Sequence, residues 1–182
     1  MGLKQVHTLR VDLNMLANLT LDSFADMAKL KLLNLTGNRV EWFASTDIAI
    51  MAIEALLLRD NRLSYTVTPD SPDYEEIKAI IGPSSGTPWT VFRLDIAAGN
   101  LPDLRLLDLG ANKFQLLARK WSPFSDKSID GDMIATSQWS SLEELHLDGC
   151  SVEFIEPGSF AGLRSLLVLK LHDNSLTVSL VR

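Results

Sequence analysis

One eleven-position pattern recurs six times along this chain. It runs apolar, two variable, apolar, one variable, apolar, two variable, Asn or Cys, one variable, apolar. The first three copies are Val6–Leu9–Val11–Asn14–Leu16, Leu30–Leu33–Leu35–Asn38–Val40 and Ile53–Leu56–Leu58–Asn61–Leu63. The last three are Leu104–Leu107–Leu109–Asn112–Phe114, Leu142–Leu145–Leu147–Cys150–Val152 and Leu166–Leu169–Leu171–Asn174–Leu176. All twenty-four apolar slots are filled by apolar residues in a chain that is 46% hydrophobic, so chance agreement is on the order of 10⁻⁸. Self-similarity at a fixed period marks a stacked architecture and decides the fold before any single residue does. The Asn/Cys column advances by 24, 23, 51, 38 and 24 residues. Three steps have one repeat length, and the other two hold extra material.

No copy can bury its apolar side alone, so neighbours must stack. The Leu-x-x-Leu-x-Leu stretch predicts a short strand whose framework residues point inward. Successive strands then pair in parallel, roughly 4.8 Å apart, centred near residues 10, 34, 57, 108, 146 and 170. The Asn sits where the chain turns out of the strand. Its amide both donates and accepts, so it can satisfy backbone groups that the turn leaves inside the stack. The expected structural ladder is Asn14, Asn38, Asn61, Asn112, Cys150 and Asn174. Cys150 reads as structural rather than reactive, because a thiol packs well and donates weakly.

A second apolar series precedes some strands. It reads Phe24 and Met27 before Leu30, and Phe160 and Leu163 before Leu166. The clearest stretch is Glu156-Pro157-Gly158-Ser159-Phe160-Ala161-Gly162-Leu163, where Pro-Gly marks a turn. Together these residues resemble the leucine-rich repeat family, in its extracellular class of about 24 residues per repeat. Toll-like receptor and chaoptin-like ectodomains belong to that class. The resemblance covers about 1–63 and 98–182. It implies an α/β solenoid: a horseshoe segment with a concave parallel β-sheet and an irregular or short-helical convex side. The whole chain, 1–182, reads as one domain with repeats at about 6–29, 30–52, 53–103, 104–141 and 142–165, and a truncated one at 166–182. The implied function is non-catalytic protein recognition within an extracellular receptor or adhesion ectodomain, with a protein ligand or co-receptor as partner and dimerisation open to it. The alternative is an intracellular leucine-rich repeat scaffold or regulatory subunit.

Net charge is −6 and the pI is near 5.0, which disfavours nucleic acid and anionic membrane surfaces. The longest apolar run, 48–58, is broken by Glu54, so no direct membrane insertion by this segment is expected. The start, Met1-Gly2-Leu3-Lys4-Gln5-Val6-His7, lacks the apolar core of a secretion signal. Position six is Val6 rather than Ser or Thr, so the myristoylation pattern fails. A single cysteine excludes an internal disulfide, whereas ectodomains of the resembled class are usually sealed by cysteine-rich caps. The last copy stops just past its turn. These two departures are expected of a fragment of a longer cell-surface chain, while a cytoplasmic protein would need neither signal nor disulfide. Asn18 and Asn34 each begin an Asn-Leu-Thr sequon and are candidate glycosylation sites. A glycan on Asn34, in mid-strand, would close part of the concave surface.

The excess before the fourth copy falls at 64–98. It is rich in Pro, Gly and Ser, as at Gly82-Pro83-Ser84-Ser85-Gly86-Thr87-Pro88, which signals turns and loop. A degenerate extra repeat, with Ile77 and Ile80 in its strand and Ser85 in the Asn slot, is the competing reading. The second excess, 120–137, includes Asp126-Lys127-Ser128-Ile129-Asp130-Gly131-Asp132. It lacks the ligand spacing and closing Glu of an EF-hand.

Variable residues between framework positions should line the concave face. The central column reads Arg10, Asn34, Leu57, Asp108, His146, Lys170. Two residues on, the column reads Asp12, Thr36, Arg59, Gly110, Asp148, His172. The next reads Leu13, Gly37, Asp60, Ala111, Gly149, Asp173. The most polar corner lies on the last copies, and the candidate protein-contact residues are Asp108, Glu144, His146, Asp148, Lys170, His172 and Asp173. Lateral neighbours there should be Asp148 with His172 and His146 with Lys170. Zinc ligation by His146, His172 and Asp148, pH sensing, a polar hot spot for a protein and an ordinary solvated face all fit this composition. No nucleophile–base pair or Gly-rich phosphate loop is present, so neither catalytic residues nor a cofactor are expected. Leu107→Asp should unfold the middle of the stack, whereas Asp108→Ala should leave folding nearly intact.

Overall fold

The computed structural model describes residues 2–45, 50–82, 88–94, 96, 98–119 and 139–177. The 120–137 insertion therefore lies outside the described residues. Among the described residues twelve strands follow in chain order: β1 (Thr8–Arg10), β2 (Leu19–Thr20), β3 (Leu32–Asn34), β4 (Phe43–Ala44), β5 (Ala55–Leu57), β6 (Ser64–Val67), β7 (Trp89–Phe92), β8 (Leu106–Asp108), β9 (Leu116–Leu117), β10 (Glu144–His146), β11 (Phe154–Ile155) and β12 (Val168–Lys170). One α-helix, α1 (Tyr74–Ile81), lies between β6 and β7.

The six repeat strands form one sheet in the order β1-β3-β5-β8-β10-β12, every pair parallel. Leu9, Leu33, Leu56, Leu107, Leu145 and Leu169 stand in one lateral row, one residue before the expected strand centres. In the interior of the stack these leucines are fully buried: Leu33, Leu56, Leu107 and Leu145 are 0% exposed. Each such burial stabilises by roughly 1.5–3 kcal/mol. Their strand neighbours face the other way because side chains alternate across a sheet. Framework residues of all copies merge into one core.

The turn after each strand explains why the strands are only three residues long. Leu13, Gly37, Asp60, Ala111, Gly149 and Asp173 all sit at φ between 53° and 66°. This left-handed conformation favours glycine, yet four of the six are not glycine. The Asn side chains then close the turn. Asn61 donates from Nδ2 to the carbonyls of Leu35 (3.0 Å) and Leu58 (3.0 Å), and its Oδ1 accepts from the N–H of Val40 at 2.9 Å. Asn38, Asn112 and Asn174 repeat this three-way bond. Asn14, in the first copy, donates within its own copy, to Val11 and Asp12. Cys150 donates its thiol to the Leu109 carbonyl at 3.4 Å. Burial pushes that thiol up to about 11, so it stays a protonated donor.

The opposite side of the stack carries short strands as well. β2 pairs with β4, and a second sheet runs β11-β9-β7-β6. The 64–98 insertion corrects both sequence-based readings of it. Ile77 and Ile80 lie in α1 rather than in a repeat strand, and the segment is not a bare loop. β6 and β7 pair antiparallel, from Ser64↔Phe92 to Val67↔Trp89, and β7 joins β9 through Val91↔Leu116. A second core of Val67, Ile77, Trp89, Val91, Leu116 and Ala118 holds α1 against this sheet. Tyr74 stacks on Trp89 with centroids 5.2 Å apart. Ser85 lies outside the described residues.

Candidate functional site on the solvent face of the main sheet

The strand register brings Arg10, Asn34, Leu57, Asp108, His146 and Lys170 into one row across the face, as the repeat spacing requires. The row two residues on contains the dominant polar contact. Arg59 donates Nε to Asp108 Oδ2 at 3.0 Å, and Nη2 to both Asp148 oxygens at 2.8 and 2.7 Å. Asp148 is two strands away from Arg59, on the far side of Gly110. A Cβ on Gly110 would collide with the Arg59 guanidinium, so the missing side chain is the channel through which the arginine reaches. Asp108 Oδ1 also accepts the N–H of Gly110 at 3.0 Å, which holds the carboxylate in place.

Burial works against the charge of Arg59, but its bonds to Asp148 and Asp108 outweigh that penalty and hold its pKa above the ordinary value. Burial likewise pushes the Asp148 carboxyl up. The hydrogen bonds and charge of Arg59 more than offset this, leaving Asp148 below its ordinary range.

Both candidate histidines join the cluster. His146 Nδ1 lies 3.8 Å from Asp108 Oδ2, and its Nε2 lies 3.3 Å from Glu144 Oε2. His172 Nε2 lies 3.7 Å from Asp148 Oδ2 and 4.0 Å from Asp173 Oδ2. Asp108, His146 and Asp148 bring potential ligand atoms within 4.8 Å of one another, a donor set that suits a divalent metal. Arg59 already lies between the two carboxylates, so an incoming cation would have to displace it.

Beside this cluster the face turns apolar. Leu32, Ala55 and Leu106 are lateral neighbours, with Leu57 next to Asp108. All four are half-buried. A charged row runs along the strand entrances below them. Lys31 pairs with Glu54 at 2.9 Å, and Arg105 pairs with Glu143 at 3.2 Å. Their backbones form one ladder, each N–H donating to the carbonyl of the copy before. The Lys31 pKa is raised and that of Glu54 lowered, first of all by their mutual hydrogen bond. A polar groove of about 390 Å³ follows this row, lined by Asp103, Ser140, Ser141 and Ser165 as well as the paired charges.

A family model described as leucine rich repeat matches residues 140–180. The match falls on the fifth and sixth copies, whose strands continue the register of the first four. The fold is a leucine-rich repeat solenoid. Such domains are, in general, protein-interaction modules. No curated protein matches the chain. Among the described residues, no helix is long and apolar enough to cross a membrane.

Within this solenoid the sequence-derived candidates fall unevenly. Asp108, Glu144, His146, Asp148 and His172 form one contiguous network. Lys170 stands beside His146 in the register but has no ion pair among the described residues. Asp173 is exposed at the rim. Asn18 is exposed, whereas Asn34 is 8% exposed and its Oδ1 accepts the N–H of Thr36 at 3.0 Å. A glycan on Asn34 would have to leave this packed site. Arg59 is the residue that sequence reasoning missed. The signal was available, since Arg59, Gly110 and Asp148 occupy one column with glycine in the middle.

Proposed function

We propose that this solenoid is a recognition domain that holds a protein ligand against the solvent face of its main sheet. The observation that carries the reading is the apolar patch of Leu32, Ala55, Leu57 and Leu106, set between two rows of committed charge. Effective protein interfaces have this anatomy, an apolar centre within a polar rim. The charges flanking the patch are held by ion pairs, so binding needs little further ordering of them.

We further propose an extracellular receptor or adhesion ectodomain as the setting. The 24-residue period, the Pro157-Gly158-Ser159-Phe160 turn and the exposed sequon at Asn18 support it. The intracellular scaffold reading draws support from the lone, buried thiol of Cys150. Affinity capture tests the face, with the chain compared against its Leu57→Glu variant and against Glu75→Ala on α1. A partner retained by Glu75→Ala and lost by Leu57→Glu is expected, and equal capture by all three would overturn the reading. Secretion from a eukaryotic host with an added signal, followed by endoglycosidase treatment, tests the setting. A mobility shift abolished by Asn18→Gln is expected, and its absence would favour the intracellular reading.

A further inference from the structure

Resting on that reading, we infer that the ligand segment is cationic as well as apolar: an apolar side chain with Lys or Arg about one helical turn, or two strand residues, away. Charge complementarity points to such a segment. Lys31 and Arg105 are each matched by one carboxylate. Arg59 is shared by two, Asp108 and Asp148, so one negative charge there is unmatched. Glu144 is a further surplus, with a side chain 43% exposed and His146 as its ion-pair partner. Asp173 is another, 85% exposed beside His172. Against these three surplus negative charges, the strand rows of the same face offer, among the described residues, one uncommitted cation, Lys170.

The surplus is placed next to the apolar patch. Glu144 stands opposite Leu106 in the β8–β10 register, and His146 opposite Asp108. One strand spacing, roughly 4.8 Å, separates the last apolar residue from the first surplus carboxylate. Side chains three or four apart on a helix sit about 5–6 Å apart, and alternate residues of a strand about 7 Å. A ligand of either form can therefore seat an apolar residue over Leu57 and Leu106 while its cation meets Glu144. An anionic ligand would face repulsion at the same place.

The test is selection of random displayed peptides on the intact chain, followed by binding of the synthesised winners. Winners rich in Lys or Arg near an apolar residue are expected. Their affinity should fall at least about tenfold on Leu57→Glu and on Glu144→Lys, weaken with added salt, and be unchanged by Glu75→Ala. Leu57→Ser provides a milder variant if melting shows Leu57→Glu to be unfolded. Winners that depend on Leu57 yet lack cations, or bind more tightly after Glu144→Lys, would overturn this inference while leaving the sheet face as the binding surface. Winners indifferent to Leu57, or none at all, would overturn both.

Discussion

The main-chain N–H of Phe114 donates to the carbonyl oxygen of Cys150 at 3.0 Å. In four other copies the equivalent N–H, on Leu16, Val40, Leu63 or Val152, donates to an asparagine Oδ1. Cysteine keeps the donor half of the asparagine's role, through its thiol, and lacks the acceptor half. The backbone carbonyl takes over what the side chain cannot do.

Cys150→Asn should therefore restore both halves at once. Asparagine already fits buried in three neighbouring copies, at Asn38, Asn61 and Asn112. We expect stability equal to the parent or up to about 1 kcal/mol higher. Cys150→Ala should cost about 1–2 kcal/mol, from lost packing and lost donation. Urea melts should rank Asn at or above Cys, and Ala lowest.

The same thiol makes the fold sensitive to alkali. Its folded pKa is raised to about 11 by burial, above the roughly 8.5 of an unfolded cysteine. The stability it contributes is complete below the unfolded pKa and is lost as pH rises toward about 11. Alkylation at pH 8 should be at least about a hundredfold slower in the folded chain than in denaturant. Comparable rates would refute the buried, protonated thiol.

Ala111 holds φ at 58°, a conformation that glycine adopts without strain. Ala111→Gly should stabilise by about 1 kcal/mol, and Gly149→Ala at the next turn should destabilise by a similar amount. Thermal melts moving in opposite directions would bear this out.

Gly110→Ala should cost about 1–3 kcal/mol by driving Arg59 off its carboxylates. In an Arg59→Ala background the same change should cost much less, since the collision is gone. A double-mutant cycle showing simple additivity would remove Arg59 from the account.

Leu107→Asp, at a fully buried site in β8, should unfold the centre of the stack, because an uncompensated buried charge costs several kcal/mol. The expectation that Asp108→Ala is nearly silent is revised. Asp108 faces outward but anchors Arg59 and the Gly110 N–H, so its loss should cost about 1–2 kcal/mol. Melting of both variants gives the ranking.

The main sheet was legible because a fixed period dictates which residues lie side by side. Knowing the slots of Leu33 and Leu56 is enough to place Asn34 beside Leu57. The asparagine bonds followed from what an amide can donate and accept. The insertion was not legible, because Ser64–Val67 pairs antiparallel with Trp89–Phe92 and only the latter reaches a repeat, through Val91 and Leu116, and the intervening Gly/Pro/Ser composition hides that pairing. Arg59 escaped for a different reason. Lateral reasoning compares adjacent strands, while a long side chain beside a glycine is free to pass over one.

That reach has a mechanical consequence. A coil held only by contacts between adjacent turns can come apart one turn at a time. Here a single guanidinium grips the third, fourth and fifth turns together, so those three must loosen jointly. Stepwise fraying therefore meets added resistance at these three.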